Sequence, residues 1–389
     1  VNPPTKISPT TDKLTYAFAK TDQGFQDLLQ HENPAVVAIT EARMGVKSTI
    51  EETRTKRLLD ISTRGALPIM LNYYGAHTGR FSGGDKINPQ NFSARKNTAI
   101  RSAIRAPEGH KVVVCDSSQI EARILAFIAG QDDLVQAFRE GRDVYTEFAA
   151  RIYGIAPEHV TDKQRFVGKT CILGLGYGMG WAKFKDTLKT QAGIEIDEHE
   201  AKRIVYFYRN VNYKIKGLWK QCDHVLRSMV AGQEGILGNF VPYGPNGIVL
   251  PNGMRIKYNA LCVEPEEVNS TFSGFVYLAD ARQFNKLAKR VVAGTEENIA
   301  WTNIYGGKVV ENVVQALARI VVADQMVAIG QHHPVVLQVH DENVSVVRTE
   351  EAKATQQLME RVMSTPPAWA PELPIACESA IGENYGECK

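Results

Sequence analysis

Two rhythms of apolar residues divide the chain. Strand-like runs appear at 67–75 (LPIMLNYYG), at 112–115 (VVVC) and at 336–347 (VLQVHDENVSVV), where valines crowd both ends. Helical spacing marks 33–61, where Ile50, Glu51, Arg54, Arg57, Leu58 and Ile61 recur, and predicts one long helix there. It returns after residue 119, with Ile120, Ile124, Leu125, Phe127 and Ile128 on one face. Ser117 or Ser118 is placed to cap that helix and Gly130 to stop it. From 131 to 235 the pattern stays mostly helical. NFVPYGPNGIVLPNGMRIKY (239–258) follows, and its NG pairs predict β-hairpins. Residues 308–329 predict a last long helix, apolar nearly all round and therefore buried, broken by a polar stripe of Asn312, Gln315 and Arg319. No apolar run approaches the roughly 20 residues of a membrane span.

Composition narrows the class. At 389 residues the chain suggests two or three domains, and 44% hydrophobic with 23% charged residues is a globular balance. The start, VNPPTKISPTTDK, is polar and Pro-rich with no apolar signal segment and no initiator Met, which suggests a trimmed chain. Six scattered cysteines without a CxxC pair argue against a zinc site or disulfide scaffold and for a reducing, intracellular setting. Net charge is only +2, but it is uneven. Residues 86–111 carry six basic residues against Glu108, whereas 350–389 carry seven glutamates against three basic residues. A near-neutral total can therefore hide a basic surface for a polyanion, or merely a solvated charged face.

Three pieces of candidate chemistry stand out. Asp116 ends a strand and precedes a helix, where side chains commonly meet a cleft. Asp341 interrupts the valine-rich stretch 336–347, which by itself reads as a plain hairpin turn as readily as a site. Two aspartates brought together repel unless a cation lies between them, and oxygen ligands without a His or Cys cluster suit Mg²⁺ better than Zn²⁺. Two such ions ~3.5–4 Å apart are a common device for in-line displacement at phosphorus. The third piece is KQRFVGKTCILGLGYGMG (163–180), where Arg165, Lys169, Leu173 and Tyr177 fall four apart. That stripe can hold a triphosphate on its cations and a base or sugar beyond them, or it is an ordinary amphipathic helix with a Gly-rich stop.

In chain order, TGRFSGGDKINPQN (78–91), DSSQIEAR (116–123), RFVGKTCILGLGYG (165–178) and VHDE (339–342) resemble the family A, polymerase-I-like, DNA polymerases, above all their bacteriophage branch. The resemblance implies an α+β fold of right-hand form. Its parts would be a partial helical thumb (1–76), an antiparallel-sheet palm (77–130 and 251–389) and helical fingers (131–250). It implies template-directed addition of dNTPs to a primer 3′-hydroxyl with release of pyrophosphate, in phage DNA replication. Two Mg²⁺ ions, for which Mn²⁺ can substitute, would be held by Asp116, Asp341 and the backbone carbonyl of Ser117.

Carried over residue by residue, Lys169 joins Asp116 and Asp341 as a catalytic residue, protonating the leaving pyrophosphate. Arg165, Lys169, Leu173, Tyr177, Gln119, Glu121, Arg95 and Tyr145 fall to the incoming nucleotide. Among these, Glu121 resembles the gate against a ribose 2′-hydroxyl, and Tyr177 the aromatic at the templating base. Arg80 and Gln315 match minor-groove contacts at the primer end. Gln90, Asn91, Asn312, His340, Glu342, Lys47 and Ser48 complete the DNA-binding set. The implied partners are primer–template DNA and dNTPs, with no membrane. The chain would act as a monomer in the cytoplasm of a bacterial host, with an upstream exonuclease domain or replisome proteins outside it.

Departures from the family pattern carry their own expectations. Ser117 stands where Tyr is usual, Tyr145 where many members have His, and Glu311 where many have Asn. Leu173 replaces a Phe or Tyr that senses the sugar 3′ position, which implies poor use of dideoxynucleotides. The acidic DEHE (197–200) reads as the capped first turn of a helix and not as an exonuclease site. A single-subunit RNA polymerase would share the palm and two aspartates, but Glu121 and the DSSQIEAR form favour deoxynucleotides. A polymerase-like domain that only binds DNA has no need of metal ligands.

Overall fold

The valines at 112–114 form the middle of an eight-residue strand, His110–Ser117, in a computed structural model of the chain. The structure describes residues 2–7, 14–19, 22–45, 49–84, 88–92, 99–263, 274–278 and 301–388; Lys47, Ser48 and Arg95 of the expected site lie outside them. The strand runs beyond the expected 112–115, so Asp116 lies within it, one residue from its end. It is the centre of a four-stranded antiparallel sheet in the order Val335–Val339, Glu342–Arg348, His110–Ser117, Cys377–Gly382. Both faces of that sheet are covered, which explains why its central strand is continuously apolar and does not alternate. Val112 and Val114 pack with Leu337, Val344 and Tyr385 on one side. Val113 and Cys115 pack with Ile329, Met359 and Met363 on the other.

Residues 120–230 are helical, as expected: Ile120–Ala129, Asp132–Arg139, Val144–Tyr153, Asp162–Gly174, Trp181–Ala192, Glu198–Val211 and Tyr213–Val230. Neither Ser117 nor Ser118 caps the first of these. Gln119 holds the N-cap position with φ 52°, a left-handed residue that swings the strand end sharply into the helix. Gly130 ends that helix at φ 63°, as its lack of a Cβ allows. Asp197 caps Glu198–Val211 by accepting from the Glu200 N–H at 2.7 Å, so DEHE is indeed a capped first turn.

Two expectations change. The single helix over 33–61 is two among the described residues, Pro34–Gly45 and Thr49–Ser62. The helix at 308–329 extends over Gly306–Gly330, 25 residues, and with a mean hydropathy of 1.5 in its most apolar window is long and apolar enough to cross a membrane. Here 61% of that window is buried inside the protein. Val309, Val314 and Leu317 are fully buried against the helices Ile120–Ala129 and Tyr213–Val230. The Gly/Pro-rich stretch forms an antiparallel sheet of Gly235–Leu237, Val241–Gly244, Gly247–Val249 and Arg255–Ile256. Its first tight turn uses Pro245 and Asn246, because Gly244 pairs with Gly247. Asn259–Val263, Phe275–Leu278 and Trp301–Ile304 make a three-stranded sheet beside it in sequence.

Candidate active site

His340 and Asp341 are the two residues of a tight turn, closed by the pairing of Val339 with Glu342. His340 has φ 56°, the left-handed geometry that two-residue hairpin turns require. Across the sheet Glu342 pairs with Asp116, and the Ser117 N–H donates to the Asp341 carbonyl at 3.0 Å. The turn is thereby bonded to the end of the central strand, which sets Asp341 beside the Asp116–Ser117 backbone. Ser117 itself is buried. The donors at hand are carboxylate and carbonyl oxygens. Among the described residues no three His, Cys, Asp or Glu side chains gather as a closed metal cage. A two-carboxylate platform that leaves further positions to water and substrate oxygens is the kind Mg²⁺ accepts, so the residues fit a divalent cation.

Glu342 points inward, contrary to its expected DNA contact. It is 1% exposed, accepts from the Tyr385 hydroxyl, and lies 3.6 Å from Arg101 Nη2. The Arg101 guanidinium sits 3.5 Å above the Tyr385 ring. A buried carboxylate needs such a neutralising partner, which explains the arrangement. Burial, then the Glu342 charge, pushes the Tyr385 phenol well up from its ordinary value. Asn312 is turned inward too: it is 5% exposed and its amide donates to the Tyr258 hydroxyl at 3.1 Å.

The cationic stripe is real as far as the helix lasts. Asp162–Gly174 begins at a reciprocal capping box of Thr161 and Gln164. Gly168 rests directly on the Tyr145 carbonyl, where a Cβ has no room, so this helix lies close against Val144–Tyr153. Arg165 Nε donates to Asp143 Oδ2 at 2.7 Å, with its guanidinium 5.5 Å from the Tyr145 ring centre. Burial alone would raise the Asp143 carboxyl, but hydrogen bonds from Arg165 and Thr146 hold it below the usual range. Lys169 follows one turn later, half-buried, and Leu173 beyond it is 37% exposed. Tyr177 lies past the helix end in a 3₁₀ turn, Leu175–Tyr177. Tyr145 is buried beneath Arg165 and does not present an open face to a nucleotide. Its phenol is pushed up to about 12, chiefly by burial, and it feels both Arg165 and Asp341.

A third group lies between these. Glu121, in the first turn of Ile120–Ala129, forms an ion pair with Arg80 and accepts from the Tyr177 hydroxyl at 3.5 Å. Burial, reinforced by Glu121, pushes the Tyr177 phenol well up. Gln119, half-buried, stands two residues before Glu121. Gln315 accepts from Thr78 at 3.4 Å and donates to Glu311 at 3.3 Å. His340 Nε2 lies 3.2 Å from the Gln90 carbonyl, and the Asn91 carbonyl accepts from Arg54 at 3.2 Å. The fold thus brings the 78–92 segment, the aspartate turn and the helix Gly306–Gly330 to one cleft, lined in part by Arg80, Gln90, Gln338 and His340.

Three residues escaped sequence reading: Arg101, Tyr385 and Asp143. Arg101 belonged to the basic run and Asp143 opens a D-V-Y-T capping signature, so both left a trace. Tyr385 left none.

Comparison with known proteins places the chain in a family. The family model described as DNA polymerase family A matches residues 5–231. Similar chains include a thermostable DNA polymerase I of Thermus filiformis, 29% identical over 95% of this chain and 38% of its own length. A DNA polymerase of Bacillus phage SP02 is 28% identical over 74% of this chain and 43% of its own length. This chain thus spans about two-fifths of the length of those relatives. Among solved structures, the POL domain of Pol1 from M. smegmatis, in complex with DNA primer-template and dNTP, superposes with a TM-score of 0.69 at 21% identity. That match covers 98% of this chain and 58% of the other, and shows the fold. With the family model matching more than half of its length, the chain belongs to DNA polymerase family A.

Proposed function

We propose that this chain is a DNA-directed DNA polymerase, extending a primer 3′-hydroxyl with dNTPs on a template. The observation that carries the reading is the bonded junction of Ser117 and Asp341, which brings the backbones of Asp116 and Asp341 to one sheet end. Asp116, Asp341 and the Ser117 carbonyl would hold two divalent ions, Mg²⁺ or Mn²⁺. When bound, such ions supply charge neutralisation for a triphosphate and acidify an attacking hydroxyl.

The remaining roles fall to this chain's own groups. Arg165 and Lys169 bind the β- and γ-phosphates, with Arg165 exchanging Asp143 for phosphate oxygens. The primer 3′-hydroxyl gives its proton to solvent water, and its oxygen forms a bond to the α-phosphorus as the bond from that phosphorus to the bridging oxygen breaks. Lys169 gives its proton to the departing pyrophosphate. Glu121, fixed by Arg80 and Tyr177, stands against a ribose 2′-hydroxyl. On this reading 1–76 is a partial thumb, 77–130 with 251–389 the palm, and 131–250 the fingers. Similarity to the phage SP02 enzyme supports a role in phage replication.

Primer extension on a defined template with Mg²⁺ tests this, comparing dNTPs with rNTPs beside an Asp341→Ala variant. Extension with dNTPs alone, falling by roughly a hundredfold or more in the variant, is the expected result. Extension with rNTPs would favour an RNA polymerase. Tight DNA binding without any extension would make it a binding domain.

A further inference from the structure

The polar stripe on the helix Gly306–Gly330 has a member that neither the metal platform nor the nucleotide site uses. Arg319 lies one helical turn beyond Gln315, on the face turned to the segment that carries Thr78. Its guanidinium is held 5.2 Å from the centres of both the Tyr73 and the Phe81 rings, which stand 5.2 Å from each other. The two rings are tilted 52° to each other and flank the cation, a cation–π arrangement that holds it in place.

The edge of that plane is unsatisfied. Arg319 Nε and Nη2 are buried and meet no hydrogen-bond acceptor among the described residues. These two nitrogens share one side of the fork, spaced to take two oxygens of a single phosphate. Asp324, further along the helix, feels the Arg319 charge but forms no ion pair with it. Buried donors are nearly always paired, so an orphaned charged edge calls for a ligand. Its cleft supplies no anion: Arg80, Phe81, Gln90, Gln338 and His340 line it beside Arg319, no carboxylate is among them, and the amide oxygen of Gln338 is a neutral acceptor, itself unpaired among the described residues. Tyr73, one of the two rings against the guanidinium, is 69% exposed, which places Arg319 next to the protein surface.

We infer that Arg319 grips a backbone phosphate of the bound primer–template duplex, next to the primer end. The inference rests on the polymerase reading and adds to it an anchor that positions the duplex without reading sequence. A dNTP could offer the same phosphate chemistry, so the test separates the two sources.

Equilibrium binding of a labelled primer–template is measured over a range of salt for the wild-type chain, Arg319→Met, Arg319→Gln and Arg319→Lys. Thermal melting of each variant and the KM for dNTP accompany it. Arg319→Met and Arg319→Gln are expected to weaken duplex binding and to lower the slope of log K against log salt by about one, as loss of one phosphate contact does. Arg319→Lys keeps the slope, and the KM for dNTP stays unchanged. Two independent neutral replacements guard against one that folds poorly. Weaker binding with an unaltered slope would reduce Arg319 to packing between two rings and overturn the inference. A raised KM for dNTP with intact DNA affinity would move the phosphate to the nucleotide and overturn it equally. Failure of the wild-type chain to bind duplex at all would overturn the polymerase reading itself.

Discussion

The Tyr385 hydroxyl donates to the carboxylate of Glu342, the residue that follows Asp341 in the sequence. A phenol near the end of the chain thus braces the turn that carries a candidate metal ligand, and Arg101, lying over the Tyr385 ring, neutralises the same carboxylate.

Removing either brace has a distinct cost. Arg101→Met leaves a buried carboxylate without its cation and is expected to destabilise the fold by about 3 kcal/mol or more. Tyr385→Phe strips one hydrogen bond from the same carboxylate and should cost about 1–3 kcal/mol. Chemical denaturation of both single variants and the double variant checks this. Strictly additive losses would show that the three groups do not act as one network.

Glu121 is held between Arg80 and Tyr177, so its position is fixed before any nucleotide arrives. Glu121→Ala is expected to raise rNTP incorporation relative to dNTP by about 10- to 100-fold, the scale on which a pocket distinguishes one added group. Single-nucleotide insertion kinetics measure the ratio. A ratio equal to wild type would remove Glu121 from sugar selection.

Alkaline pH should unfold the chain in a defined window. Burial raises the phenols of Tyr145, Tyr177, Tyr208, Tyr258 and Tyr385, Tyr145 to about 12. Groups raised in the folded state support stability below their unfolded value, near 10, and withdraw it as pH climbs toward the folded value. Stability should hold to pH 10 and fall between 10 and 12, with the buried phenols ionising only as the chain unfolds. Absorbance titration at 295 nm beside circular dichroism reads both. Fourteen tyrosines titrating together near 10 with structure intact would contradict the prediction.

Leu173 is more than a third exposed on the cationic helix, one turn past Lys169, with no polar group to offer a sugar. Leu173→Tyr is expected to raise the use of dideoxynucleotides over that of the wild-type chain, measured as chain-termination frequency in competition with dNTPs. Equal use by both proteins would show that this position does not sense the 3′ carbon.

Much of the candidate site was legible without coordinates because local chemistry announces itself locally. Valine runs interrupted by Asp116 and Asp341, cations four apart at 165 and 169, and a glycine stop at 130 are all short-range signals. Those segments form the strands, helices and turn expected of them. Boundaries were less secure. The cap at Gln119 is a left-handed residue forced by the strand-to-helix corner, and no side-chain preference marks it.

Tertiary structure decided which polar groups face the cleft. Asn312 and Glu342 belong to site-like motifs yet turn inward, because a buried amide or carboxylate goes wherever distant residues can satisfy it, here Tyr258 and Tyr385. Arg319 met the opposite outcome: Tyr73 and Phe81 flank its guanidinium but leave its donor edge unmatched among the described residues. Sequence alone determined the family, the strand and helix periods and where Asp116 and Asp341 stand along them. It could not say which charges the fold would satisfy internally, since each partner comes from a remote stretch of chain and only packing brings them together.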